Sequence, residues 1–211
     1  MTAPPKQIAD FEAALMTNAP AYDIKVSTET LQQLTAYYQL IHVWNPRLHL
    51  VAPCSPDEFA QRHILESLLL LPHLPQAAKI VDIGSGAGLP IIPCLISRPD
   101  FSAVLFEAAK RKAVFLREAL SLVGRSDAAR VFAERFETAA TPDCKFITSR
   151  ALDRFTQMLP RLIEWAPKQC TLLLFGGDEL RKALETLSLD YSRIHVPNSE
   201  QRFLFIVERP K

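Results

Sequence analysis

Lys79-Ile80-Val81-Asp82-Ile83-Gly84-Ser85-Gly86-Ala87-Gly88-Leu89-Pro90 is the stretch from which the fold is read. It opens as a short apolar run rich in β-branched residues, the pattern of a buried strand. Gly84, Gly86 and Gly88 then alternate, which predicts a tight turn, and Pro90 and Pro93 suit the first turn of a helix. A strand, a glycine turn and a helix in that order let backbone approach a ligand closely and aim free N–H groups at it. Two ligand classes fit poorly. A phosphate-gripping loop ends in Gly-Lys followed by Ser or Thr, and no such ending is present. A dinucleotide fingerprint, counted from Gly84, needs its third glycine where Leu89 stands.

An acid before the turn, Asp82, with G-x-G-x-G after it comes closer to the S-adenosylmethionine (AdoMet) loop of class I methyltransferases. Glu107 supports this reading. It follows a second apolar segment, Phe101 to Phe106, about 20 residues past the glycines, where an acid accepts hydrogen bonds from ribose hydroxyls. The plain alternative is a glycine-rich turn without a ligand.

The 211 residues fit one domain, or one domain with an extension. With 48% hydrophobic and 22% charged residues the chain has enough apolar material for a core. Apolar runs such as Leu68 to Leu71 are far too short to span a bilayer, and no secretory signal is read at the start, so a cytoplasmic protein is expected. Cys54, Cys94, Cys144 and Cys170 are scattered and show no metal-ligand spacing, which predicts four reduced thiols and no metal site. A formal net charge of +1 gives no global basic field, so nucleic acid would have to be met by local patches.

The first 75 residues read as helical. Ile8, Phe11, Ala14 and Leu15 share a helical face. Ser27 or Thr28 would cap a second helix with Leu31, Leu34, Tyr38, Ile41 and Trp44 on its apolar side, ended by Asn45-Pro46. A third is expected to open at Asp57 and run to Pro72. From Lys79 strand-like and helical segments alternate, with strands at Ile80–Ile83, Ala103–Phe106, Arg130–Ala133, Lys145–Thr148, Thr171–Phe175, Ile194–Val196 and Phe203–Val207. That alternation predicts an α/β fold, a doubly wound, mostly parallel sheet with helices on both faces. The expected division is an N-terminal helical extension, 1–75, and a ligand-binding domain, 76–211. Ligands in such sheets sit beyond the carboxyl ends of the strands, so Gly84, Glu107, Glu134 to Glu137 and Ser149-Arg150 should line one rim.

At this point the chain resembles the RsmG (GidB) methyltransferases, from about residue 30 to the end. The resemblance rests on Asp82-Ile-Gly-Ser-Gly-Ala-Gly-Leu-Pro-Ile-Ile-Pro93, on Arg62-His63-Ile64-Leu65 followed by an acid and Ser67, on Lys110-Arg111-Lys112 with Phe115-Leu116-Arg117, and on Ser149-Arg150-Ala151. It implies a class I, Rossmann-like, AdoMet-dependent enzyme that methylates a guanine N7 in the decoding-region loop of bacterial 16S rRNA. The 16S rRNA or the 30S subunit would then be the partner, and a monomer is the default. It further implies AdoMet contacts at Gly84, Leu89, Phe136, Glu137 and Arg150, which join Gly86 and Glu107 from the reading of the loop and the acid after it. RNA contacts are expected at Lys110, Arg111 and Lys112, and from the helical segment at Arg62 and His63. Five places depart from the family pattern. Ile91 replaces a glycine, Glu66 an aspartate, His49-Leu50-Val51 an Asn-Leu-Thr, Phe136 a small residue, and Phe175-Gly176-Gly177 a Lys-Gly.

Guanine N7 carries a free lone pair in its neutral form, so transfer needs no prior deprotonation. No dedicated general base is expected, and the sequence offers no nucleophile–base or paired-carboxylate constellation. Three other functions stay open on the residues alone. They are a small-molecule methyltransferase, a non-catalytic RNA- or ribosome-binding relative, and a nicotinamide-dependent oxidoreductase, the last disfavoured by Leu89.

Overall fold

The computed structural model describes residues 3–150 and 155–209. Ala151 lies outside the described residues. One seven-stranded sheet in the order β3-β2-β1-β4-β5-β7-β6 forms the centre. Its strands are β1 (Lys79–Ile83), β2 (Ser102–Phe106), β3 (Ala129–Phe132), β4 (Phe146–Arg150), β5 (Thr171–Gly176), β6 (Ser192–His195) and β7 (Phe203–Glu208). β1 to β5 are parallel, while β7 runs antiparallel between β5 and β6. The chain leaves β1 for β2 and β3 on one side and returns to β4 on the other. This reversal opens a crevice at the carboxyl ends of β1 and β4.

The helices are α1 (Pro5–Asn18), α2 (Thr28–Leu48), α3 (Pro56–Phe59), α4 (Glu66–Leu68), α5 (Ile91–Ser97), α6 (Lys110–Leu122), α7 (Phe155–Trp165) and α8 (Asp178–Thr186). One core joins the N-terminal helices and α5 and α6 to the sheet, from Phe11, Tyr38 and Ile64 through Ile92 and Phe115 to Leu173. A second lies on the opposite face under α7 and α8, with Val81, Ile147, Leu159, Leu172 and Leu184. The central strands β1, β4 and β5 are covered on both faces and mostly buried, while the edge strands β3 and β6 are largely exposed.

Local differences from the sequence reading have physical causes. Ser27 caps α2, its hydroxyl accepting from the Thr30 N–H at 3.1 Å. The helix runs past Asn45-Pro46 to Leu48. Pro46 sits in the last turn, where only two more residues are helical, and His49 closes the end in the left-handed conformation at φ +47. The third helical stretch begins at Pro56 under a Ser55 cap, and its middle, Ala60–Leu65, widens into a π-helical turn. Nothing in residue type distinguishes such a turn from an α-helix.

Tyr37 and Tyr38 are buried, as core residues. Tyr37 also does a specific job, because its hydroxyl donates to the Ala87 carbonyl and ties α2 to the glycine loop. Tyr37→Phe keeps the ring and leaves that buried carbonyl without its partner, so it should cost about 1–3 kcal/mol in urea unfolding. A loss within experimental error would mean that the hydroxyl does not hold the loop.

Candidate active site

Gly84, Gly86 and Gly88 have φ of +69, +53 and +84, values that side chains with a Cβ adopt at a cost. At Gly88 the space is closed as well, since an added Cβ would lie 2.4 Å from Ile92 Cδ1. The loop is pinned from the next strand. The Phe106 carbonyl accepts from the N–H groups of Gly84, 2.9 Å, and Ser85, 3.1 Å. Glu107 follows at once, and its two carboxylate oxygens accept from Gly86 N–H and Ala109 N–H, each at 2.8 Å. Each oxygen keeps a further lone pair, so a diol can still be received.

These elements border a cleft of about 910 Å³ at the carboxyl ends of the strands. Every predicted AdoMet contact lines it, namely Gly84, Gly86, Leu89, Glu107, Phe136, Glu137 and Arg150. Of the predicted RNA contacts, Arg62, His63 and Lys112 also line it. Lys110 and Arg111 do not; they lie exposed on the first turn of α6 outside the mouth. Arg135 and Arg161 reach the cleft although the sequence reading did not single them out as contacts. Arg161 stands 4.0 Å from Glu137, on a chain segment that reads as an ordinary amphipathic helix. Phe136 packs edge-on against Trp165 at 5.4 Å, so the bulk that replaces a small residue there is absorbed by the core side of the loop.

The departures at Ile91 and Phe175 fall outside the cleft. Both side chains are buried in the core and neither lines the site. Glu66, in contrast, is part of a buried charge cluster. It is 2% exposed, with one oxygen 3.5 Å from Arg150 Nη2 and the other 3.2 Å from Arg202 Nε. Arg202 enters from the start of β7, and the sequence gives no sign of this pairing. Arg150 Nη1 is sealed and has no hydrogen-bond partner among the described residues. Burial lowers the Arg150 pKa, opposed by the Glu66 charge.

Asp82 is the other unsatisfied group. It is fully buried behind the glycine loop, and neither carboxylate oxygen has a partner among the described residues. Burial pushes its pKa up to about 7; the nearby Ser85 hydroxyl opposes this and the Glu107 charge adds to it. The Ser85 hydroxyl bonds the Asp82 carbonyl at 3.2 Å and not the carboxylate, so that opposition is weak.

Glycine loop, an acid able to receive a diol, apolar wall and the Arg150 guanidinium together fit AdoMet, in a cleft of about 910 Å³. Fold and site thus define a class I, AdoMet-dependent methyltransferase. The family described as rRNA small subunit methyltransferase G, GidB, matches residues 30–204, and the chain belongs to it. Among similar proteins, ribosomal RNA small subunit methyltransferase G of Gluconobacter oxydans is 37% identical, over 81% of this chain and 86% of the relative. The Chloroflexus aggregans protein of the same name is 32% identical, over 94% and 90%. The fold is also that of an RNA methyltransferase from Salinibacter ruber solved with S-adenosyl-L-homocysteine. Its TM-score is 0.57 at 15% identity, over 76% of this chain and 95% of that one. An Aquifex aeolicus SAM-dependent methyltransferase gives 0.57 at 15%, over 72% and 93%. Among the described residues no cluster suits a metal ion, and no helix is long and apolar enough to cross a membrane.

Proposed function

We propose that this protein methylates N7 of a guanine in the decoding-region loop of bacterial 16S rRNA, acting in the cytoplasm. The observation that carries the RNA reading is the cleft's mouth, where Arg62, Lys112, Arg135 and Arg161 stand around an opening that continues from the glycine loop. Arg62 is paired with Glu58 and Arg161 stands 4.0 Å from Glu137, while Lys112 and Arg135 meet no acid among the described residues and are the cations left for phosphate on a chain of net charge +1.

In this reading Gly86 and Leu89 bound the cofactor's adenosine, Glu107 takes its ribose hydroxyls, and the 136–137 pair meets the adenine. Arg150, which lines the cleft beside them, sets its guanidinium toward the methionine carboxylate. AdoMet, held by these residues, would supply an electrophilic methyl on a sulfonium, open to in-line displacement by the N7 lone pair with the C–S pair left on sulfur. The protein's part is to hold both partners in line and to exclude water, because no proton has to move. Consistent with that, the imidazole nearest the mouth, His63, is a poor base; burial first, then the charges of Arg150, Arg62 and Arg202, bring its pKa down to about 3.

The test is methyl transfer from radiolabelled AdoMet to 16S rRNA or 30S subunits lacking the modification, mapped by cleavage specific for 7-methylguanine. The expected result is label at one decoding-region guanine. RNA affinity should fall with salt, and Arg135→Ala with Arg161→Ala should flatten that dependence by about one to two counterions. AdoMet binding with label on no RNA would overturn the RNA reading and favour a small-molecule substrate.

A further inference from the structure

The cleft holds one polar group whose proton can be placed. His63 lies in the π-helical turn Ala60–Leu65, a widening that often marks a functional site. Its Nδ1 is 3.4 Å from Arg150 Nη2. Arginine only donates, so Nδ1 accepts, and the single proton of the neutral ring sits on Nε2. The Phe59 ring stands 4.9 Å away, at an interplanar angle of 59°, and limits rotation of the imidazole. Among the described residues Nε2 meets no hydrogen-bond partner and is not one of the sealed polar atoms. His63 lines the cleft, so this N–H is a donor left over for a ligand.

We infer that His63 Nε2–H donates to O6 of the target guanine and so sets the base with N7 toward the methyl group. The inference rests on the guanine-N7 reading above. O6 and N7 are adjacent acceptors on one edge of the base, so a donor on O6 grips that edge without occupying the N7 lone pair. A neutral donor suits this place for two reasons. It withdraws less electron density from N7 than a cation would, and it does not repel the positive charge that the base acquires. Arg150 holds the imidazole in the required tautomer, while the Glu66 carboxylate keeps the charge of Arg150 engaged.

The test compares single-turnover methyl transfer by wild type, His63→Phe and His63→Gln. The RNA carries either guanine or 2-aminopurine, which lacks O6, at the target position. On guanine, His63→Phe should be slower by about tenfold, the size of one neutral hydrogen bond. Glutamine, whose amide N–H reaches the place of Nε2, should restore most of the rate. The affinity for S-adenosylhomocysteine should stay within about twofold of wild type throughout, since Arg150, the imidazole's neighbour on the cofactor side, keeps its ion pair with Glu66. Replacing O6 should slow the wild type by a similar factor. His63→Phe on 2-aminopurine should be no slower than either change alone, because both remove the same contact. Independent losses that multiply would overturn the inference. So would a His63→Phe rate equal to wild type, or a cofactor affinity that falls in step with the rate. If wild type binds the cofactor but labels no guanine RNA, the proposed function fails, and the inference with it.

Discussion

Asp82→Asn is expected to leave stability near wild type at pH 5 and to raise it by about 2 kcal/mol or more at pH 8, while cofactor binding weakens by about 10- to 100-fold. The reasoning starts from a carboxylate with no exposed surface and no hydrogen-bond partner among the described residues. Its pKa is about 7 in the fold against 3.8 for the ordinary side chain. Between those values the folded chain holds a proton that the unfolded chain has released. Stability from this group is therefore complete below about pH 4, declines as pH rises toward 7, and stays low above it. Three pKa units correspond to about 4 kcal/mol, of which an asparagine that is itself poorly bonded recovers part. A buried acid that destabilises the free protein makes sense if a cation is to arrive in front of it. Asp82 stands two residues before Gly84, which lines the cleft, and a ligand there bearing ammonium and sulfonium charge favours the ionised form. Binding then releases a proton, so cofactor affinity in the wild type should rise with pH through about 7 and level off. The variant should show no such rise. Urea unfolding of both proteins from pH 5 to 8, with calorimetric titration of AdoMet, reads all of this. Parallel stability curves would show that Asp82 is ionised throughout and would remove the argument.

What could be read from the sequence follows from the range of the interactions involved. The glycine loop, Glu107 and the alternation of strands and helices are local signals. Each residue's conformation or chemistry is set within a few positions, and all of them fall where the periodicity places them. The antiparallel insertion of β7 between β5 and β6 is not local, because Phe203–Val207 reads as a strand whichever neighbour it joins. The same holds for the cleft. Arg150 ends β4, but its neighbours come from a π-helical turn, 87 residues upstream for His63, and from Arg202, far downstream and just before β7. Arg135 and Arg161 look like any solvated arginines until the loop after β3 and α7 bring them to one mouth. The departures show the converse limit. Ile91, just after the glycine loop, and Phe175, in β5, differ from the family pattern, yet both side chains face the core.

Glu66→Gln should destabilise the protein by about 3–5 kcal/mol, the usual cost of breaking a buried ion pair. The amide keeps the shape of the carboxylate and removes only its charge. Arg150, whose side chain is 13% exposed, would then share a largely dry pocket with Arg202 and no counter-ion among the described residues. The cluster is already under-bonded, for the Arg202 Nε and Glu66 Oε2 atoms lie within ion-pair distance without meeting hydrogen-bond geometry. Charge therefore carries most of this contact, and a neutral substitute has little to fall back on. Glu66→Asp, which restores the residue the family resemblance leads one to expect, should recover most of the loss, since the carboxylate can still sit between the two guanidiniums. Replacing all three residues together, Glu66→Leu with Arg150→Met and Arg202→Met, should regain stability to near wild type, because apolar side chains of similar volume need no pairing. That triple variant should nevertheless transfer no methyl group, having lost Arg150. The cluster would then be shown to serve the site at the expense of the fold. A Glu66→Gln cost under about 1 kcal/mol in urea unfolding would mean that the two arginines are neutralised by solvent, and that Glu66 does not hold Arg150 in the cleft.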